Sequence, residues 1–264
     1  MTEFTALLAG MQPDGDAWRL TVSDDWLQGR TVYGGLGAAL CLEAALRTIA
    51  DLPPLRSAQF AFIGPATGAL QLRAETLRRG KSTVFAGVSL VGEDGLATRA
   101  TLCFGTGRDQ ALAYDGLAAP AVETPTQCPN FFERAPPGLR FLAHIEGRAA
   151  GGARPFSSAG NPDMTLWLRH RDPAPVPSLV SLLALADAPP PAALAMADRP
   201  GGAISTMTWA IDMLTDDVAT AEGWWLVRTM AERIADGYSS QAMTVWNADG
   251  RAVMASRQNV AMFL

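Results

Sequence analysis

Apolar and polar residues alternate over residues 249–264, which predicts a β-strand with one buried face. The apolar face collects Ala252, Met254, Ser256, Gln258, Val260, Met262 and Leu264. Gln258 is out of place there, because burying a carboxamide without partners costs about 1–3 kcal/mol. Gln258 is therefore expected to hydrogen-bond either to neighbouring backbone or to another buried polar group.

The two halves of the chain carry the same pattern of strands and turns. Residues 70–104 and 224–263 each contain a strand, a glycine turn, a second strand, an Asp-Gly hairpin and a third strand. The hairpins are Asp94-Gly95 and Asp249-Gly250. Each half is thus predicted to form a three-stranded meander, and aligning the Asp-Gly pairs places Cys103 at the position of Gln258.

A helix and one further strand precede each meander. The helices are predicted over 34–49 and 177–191, and the strands over 55–64 and 202–214. The first helix is apolar on all sides for three turns, so it has to be enclosed. A curved antiparallel sheet wrapped around one helix, the hotdog fold, meets this need. The sequence predicts an α+β double hotdog, with two antiparallel sheets each wrapped around a central helix.

The predicted domain organisation follows from this repeat. Residues 1–110 form the N-terminal hotdog, residues 111–138 a proline-rich linker, and residues 139–264 the C-terminal hotdog, which carries the catalytic residues. We expect the sheets to join edge to edge, because free sheet edges must be paired or covered. Further association into homo-oligomers is also expected.

Composition narrows the classes of partner. The net charge of −5 gives no reason to expect a nucleic-acid partner. Three scattered cysteines and only two histidines, His144 and His170, predict neither a metal site nor a cofactor, and the histidines are interpreted as structural or surface residues. The sequence shows no secretory signal and no apolar run long enough to span a membrane, so a cytoplasmic protein is expected.

Several short motifs, taken in order, resemble those of the double-hotdog acyl-CoA thioesterases of the thioesterase II-like group. They are VYGGLGAAL (32–40), ETLRRGKSTVFAGVSL (75–90), LWLR (166–169), ALAD (184–187), DGYSS (236–240) and the Asp-Gly to Ser-Arg-Gln stretch of 249–258. The resemblance implies hydrolysis of an acyl-CoA thioester by direct attack of water, without a covalent intermediate.

In that family an Asp, a Ser or Thr, and a Gln of the second hotdog hold the attacking water. The matching residues here are Asp187, Thr206 and Gln258, with Ser205 and Thr208 as alternatives for the hydroxyl. Asp187 is also unusual by itself, because it lies on the apolar stripe of a predicted helix, where a surface acid at a frayed helix end is the structural alternative.

Two further groups are candidates for substrate binding. Tyr33, Gly34 and Gly35 stand at the start of the first helix, where free N–H groups could polarise a carbonyl, or where glycines simply allow tight packing. Arg78 and Lys81 flank a predicted turn and could meet coenzyme A phosphates, although such residues commonly form a solvated turn.

Two other functions remain open from the sequence. One is a non-catalytic protein that binds acyl-CoA or acyl chains, and the other is a different hotdog enzyme such as an enoyl-CoA hydratase. A hydratase would require a histidine beside the acid, and Asp187 has none nearby in sequence. A serine hydrolase is disfavoured because the chain lacks a GxSxG motif.

Overall fold

The fold is taken from a computed structural model that describes residues 1–172 and 178–263. The first half contains α1 (Phe4–Ala9), β1 (Gln12–Asp14), β2 (Ala17–Thr21), β3 (Leu27–Gln28), β4 (Thr31–Val32), α2 (Gly34–Thr48), β5 (Leu55–Phe62), β6 (Ala69–Arg79), β7 (Thr83–Gly92) and β8 (Gly95–Gly105). The second half contains β9 (Ile145–Gly152), β10 (Asp163–His170), α3 (Leu179–Ala186), β11 (Ile204–Met213), β12 (Trp225–Ala235), β13 (Tyr238–Asn247) and β14 (Ala252–Met262).

The two sheets join into one antiparallel sheet of twelve strands. Its order is β1-β2-β6-β7-β8-β5-β11-β14-β13-β12-β10-β9, so each half contributes the same succession of strands in mirror order. The halves meet where β5 pairs with β11, with Phe60 opposite Trp209. The predicted double hotdog and its edge-to-edge junction are confirmed. The junction gives each half a partner for the sheet edge that would otherwise be unpaired.

The central helices differ in length. The predicted helix over 34–49 is observed as α2, whose apolar residues are buried on nearly all sides. The second helix was expected within 177–191, but α3 spans only Leu179–Ala186, and Pro177 lies outside the described residues. Ser178 and Ser181 form a capping box at its start. Three consecutive prolines, 189–191, follow its end, and prolines cannot continue a helix.

The predicted face pattern of the last strand is largely confirmed. Of the expected apolar face, residues 254, 256, 258 and 260 are buried on the inner side, Met262 is half-buried, and Leu264 lies outside the described residues. Ala252 was expected on the same face but is buried on the other side of the strand, where it packs with Trp246. A β-bulge in the pairing with β13 breaks the alternation at this point, so Val253 lies in the main core instead of Ala252. Ala261 of the opposite face is also buried. Gln258 therefore lies inside the second hotdog, where its amide requires partners.

Both histidines lie in the packing between the N-terminal segment and the second half. The His144 ring stacks on Trp26 at a centroid distance of 4.0 Å, and its Nε2 lies 3.0 Å from Asp25 Oδ2. The His170 ring stacks on Phe4, and its Nε2 lies 2.9 Å from the Ser181 carbonyl oxygen. These contacts agree with the interpretation of the histidines as structural residues.

Candidate active site

The buried amide of Gln258 meets the carboxylate of Asp187. Asp187 directly follows α3, and Gln258 lies on the inward face of β14 with 5% of its surface exposed. Gln258 Nε2 donates a hydrogen bond to Asp187 Oδ1 over 2.6 Å. The side chain that the sequence marked as misplaced is thus paired with an acid more than seventy residues away in sequence, rather than with adjacent backbone.

The environment of Asp187 shifts its proton affinity. Burial raises the pKa of this carboxyl from 3.8 to about 7, while hydrogen bonds from Gln258 and from the Gly35 backbone act in the opposite direction. Asp187 keeps a partly accessible surface, in contrast to Gln258. A carboxylate with a pKa near neutrality and some solvent access is suited to take a proton from water.

Asp187 also caps the first central helix across the interface between α2 and α3. The residue before α2, Tyr33, provides no side-chain cap, and the Gly35 N–H instead hydrogen-bonds to Asp187. A Cβ atom at Gly34 would lie 2.9 Å from Asp187 Oδ2 and 3.7 Å from the Phe62 ring. Glycine at position 34 is therefore what lets the carboxylate approach the start of the helix.

The Gly35 contact changes the role expected of the glycines. The sequence predicted that an amide at the start of α2 polarises the substrate carbonyl, but the Gly35 N–H is already engaged by Asp187. The close approach of the glycine backbone instead helps to hold the Asp187 carboxylate in position. Carbonyl polarisation by these amides stays a prediction.

Tyr33 is enclosed beside this acid. Only 1% of its surface is exposed, and its ring stacks on Phe141 with centroids 3.8 Å apart. Burial and the negative charge of Asp187 raise the Tyr33 pKa well above its usual value of 10.0, so the phenol is neutral. Its hydroxyl has no hydrogen-bond partner among the described residues.

A bulge in β11 distinguishes the three candidate hydroxyls. Thr206 pairs with Val260 and Trp209 pairs with Gln258, and the register shifts between Thr206 and Thr208. Residues directly opposite each other in antiparallel strands share a face, so Thr206 lies on the inward face that carries Gln258. Ser205 and Thr208 are exposed, whereas Thr206 is half-buried.

The sequence interpretation missed Gln241. This residue is 1% exposed and lies directly opposite Gln258 in the pairing of β13 with β14. Gln241 Nε2 donates to Gln258 Oε1 over 2.7 Å, and Gln241 Oε1 accepts from the Ala192 N–H over 3.0 Å. The available signal was the same one that identified Gln258, because Gln241 also interrupts an inward-facing row with a carboxamide.

Five matched inward positions of the two halves differ in polarity. Ala86 pairs with Leu102 in the first half as Gln241 pairs with Gln258 in the second, and each meander has a bulge at the equivalent point. The second half carries Thr229, Ser239, Gln241, Ser256 and Gln258, and the first half carries Ala74, Val84, Ala86, Ala100 and Leu102 at the matching positions. All ten residues are buried.

This register corrects one sequence-based expectation. Cys103 was predicted to occupy the position of Gln258, but the structural counterpart of Gln258 is Leu102. The second Asp-Gly hairpin has one more loop residue, since Gly92 pairs with Gly95 whereas the Asn247 N–H bonds to the Arg251 carbonyl. Cys103 is therefore displaced to the outer face.

Arg78 and Lys81 are not brought to this site. Both are exposed, and β6 lies five strands away from β14 in the sheet. The neighbouring Arg79 donates to the Ala50 carbonyl, just beyond the end of α2, whereas Asp187 contacts its start. At 1.5 Å per residue, the fifteen-residue helix separates the two places by roughly 20 Å.

Within residues 1–172 and 178–263, no group of three or more His, Cys, Asp or Glu side chains could hold a metal ion. No helix in the same ranges is long and apolar enough to cross a membrane.

Two family models match the chain, one in each half. A family model described as the acyl-CoA thioesterase N-terminal domain matches residues 22–105, and one described as the acyl-CoA thioesterase C-terminal domain matches residues 125–262. A search of the curated proteins finds no significant match.

Solved structures of similar shape span the whole chain. A conserved protein of unknown function with a hot dog fold from Alicyclobacillus acidocaldarius is 24% identical, with a TM-score of 0.89 over 100% of this chain and 99% of that one. An acyl-CoA thioesterase II from Mycobacterium marinum is 20% identical, with a TM-score of 0.76 over 97% of this chain and 96% of that one. At these identities the structural likeness shows the fold.

Proposed function

Because the chain belongs to the acyl-CoA thioesterase family and is a thioester hydrolase, we propose that Asp187, Gln258 and Thr206 form its catalytic site. The observation that carries this proposal is the hydrogen bond from Gln258 to a carboxylate whose pKa is raised to about 7. A partly enclosed acid tuned toward neutrality has a clear use in hydrolysis and none in simple packing.

In the proposed reaction, Asp187 is the general base. It accepts a proton from a water molecule while the water oxygen bonds to the thioester carbonyl carbon. The tetrahedral intermediate then collapses, the carbon–sulfur bond breaks, and the coenzyme A thiolate takes the proton held by Asp187. The products are a carboxylic acid and coenzyme A thiol, and no covalent enzyme intermediate forms.

Gln258 and Thr206 orient the reacting groups in this proposal. One Nε2 hydrogen of Gln258 is bonded to Asp187, and the second remains for the carbonyl oxygen as negative charge develops on it. Thr206 lies on the same inward face and supplies a hydroxyl to the water. In this proposal the acyl group enters beside Gly34, where a Cβ atom would lie 2.9 Å from Asp187 Oδ2 and 3.7 Å from the Phe62 ring.

The test of this proposal compares Asp187→Asn with the wild-type enzyme on a panel of acyl-CoA substrates, with thiol release as the readout. Asparagine keeps the size of aspartate and one oxygen that can accept a hydrogen bond from the start of α2, while the base is lost. Loss of a general base lowers the rate by about 10²–10⁴-fold. We expect a loss in this range, and Gln258→Ala should also be strongly impaired.

Asp212→Asn is the matched control. Asp212 is an exposed carboxylate on β11, pointing away from the site, and its replacement should leave hydrolysis unchanged. If Asp187→Asn keeps a rate within about threefold of wild type, a difference below 1 kcal/mol of barrier, Asp187 is not the base.

Self-association and a cytoplasmic location belong to the same proposal. Leu77 and Phe85 are 49% and 38% exposed on neighbouring strands of the first half, an apolar area that a second copy could cover. Light scattering should give a multiple of 27.9 kDa, and a clean monomer mass contradicts the oligomer.

The three cysteines, all within the described residues, are free, as expected for a reducing compartment.

A further inference from the structure

We propose that Gln241 is a positioning residue that fixes the orientation of the Gln258 amide toward Asp187. This inference rests on the proposed function, since it concerns the same site. It deepens that function by identifying the group that decides which end of Gln258 faces the base.

The orientation originates at a backbone group that can only donate. Prolines 189–191 have no N–H, so Ala192 provides the next backbone donor after Ala188. Its N–H bonds to a side-chain atom of Gln241 over 3.0 Å, and that atom must be the carbonyl oxygen, because an NH₂ group cannot accept. The assignment of oxygen and nitrogen in Gln241 is thereby fixed by chemistry.

The same logic passes to Gln258. With its oxygen bound to Ala192, Gln241 presents its NH₂ group across the strand pair, and the atom of Gln258 that meets it at 2.7 Å must be Oε1. Gln258 can then offer only its NH₂ group to Asp187, as observed at 2.6 Å. A flipped Gln258 would place a carbonyl oxygen against the carboxylate, which disfavours the ionised base.

The first half offers an internal comparison. Ala86 and Leu102 occupy the positions that Gln241 and Gln258 occupy in the second half, and both are buried. The hotdog core therefore packs without a carboxamide pair at this point. The fold therefore does not require Gln241. Its role in the second half comes from its hydrogen bond to Gln258.

Gln241→Glu and Gln241→Met test the inference. The glutamate carboxylate accepts from Ala192 but cannot donate to Gln258, so the Gln258 amide should flip. We expect kcat at pH 7 to fall at least about tenfold with KM within about twofold, and the rising limb of the kcat–pH profile to move up by about one pH unit. The methionine variant removes the donor without adding charge and should also lose kcat.

A double-mutant comparison separates positioning from packing. If Gln241 acts only through Gln258, Gln241→Met should lower kcat at least about tenfold in the wild type but less than about twofold in the Gln258→Ala background. Ser239→Ala is the matched control, because Ser239 is fully buried two residues earlier on the same face and its hydroxyl has no partner among the described residues. Its kcat should stay within about twofold.

Two outcomes overturn the inference. One is a folded Gln241→Met or Gln241→Glu variant with unchanged kcat and an unchanged pH profile. The other is an equal loss in both backgrounds, which would make the role structural. If Asp187→Asn and Gln258→Ala are impaired while the Gln241 variants are not, this inference alone fails. If Asp187→Asn is fully active, the proposed function fails with it.

Discussion

The raised pKa of Asp187 makes activity and stability change with pH in opposite directions. With a pKa of about 7, roughly a tenth of the carboxyl groups are ionised at pH 6 and nine-tenths at pH 8. Hydrolysis that depends on the ionised base should therefore rise roughly tenfold over this interval and then level off. Replacement of the acid by asparagine should remove this dependence along with most of the activity.

The stability effect has the opposite sign. The folded-state pKa lies above the ordinary value of 3.8, so the folded protein binds the proton more tightly than the unfolded chain does. The associated stability is present below pH 3.8 and is lost as the pH rises through about 7. The interval between 3.8 and about 7 corresponds to at most roughly 4 kcal/mol of unfolding free energy.

The measurement is the unfolding free energy of wild type and Asp187→Asn at several values between pH 4 and pH 8. The difference between the two proteins isolates Asp187, because all other titrating groups are shared. Asp187→Asn should gain stability relative to wild type as the pH rises. Curves that stay parallel over the whole range would refute the argument, since they would mean that the carboxyl titrates alike in the folded and unfolded chains.

Two further predictions concern the surroundings of this acid. Thr206→Val should lower kcat measurably while Thr208→Val leaves it within about twofold, because the bulge in β11 turns only Thr206 inward; equal effects in an acyl-CoA assay would contradict that assignment. Gly34→Ala should reduce activity and melting temperature together, because its Cβ would lie 2.9 Å from Asp187 Oδ2, and a fully active, equally stable variant would show that the carboxylate has room to move.

The fold followed from the sequence because its signals repeat. Strand alternation, Asp-Gly hairpins and an all-round apolar helix occur in the same order in both halves, and each indicates the same architecture. Neither hairpin loop length could be determined from the dipeptide alone. One extra loop residue moves every side chain of the following strand to the other face, which is why Cys103 was placed where Leu102 lies.

The same reasoning identified some residues of the candidate site and missed others. Gln258 and Asp187 each stood out as a polar group on an apolar face, and they are in contact. Thr206 could not be separated from Ser205 and Thr208, because a β-bulge leaves no mark in the pattern. The contact of Gly35 with Asp187 could not be predicted either, because sequence patterns do not show how the helices of the two halves pack against each other.

The mirrored sheet explains why one chain of two hotdogs presents one candidate centre. Both halves enclose a helix, but at the five matched inner positions the second half carries carboxamides and hydroxyls, where the first has alanine, valine and leucine. The first half contributes its helix start instead, since the Gly35 N–H hydrogen-bonds to Asp187 and the charge of Asp187 acts on the buried Tyr33. The polar interior of the second hotdog and the helix terminus of the first are complementary, so neither half holds the complete arrangement alone. This division ties the catalytic proposal to the junction between β5 and β11, which fixes how the two halves meet.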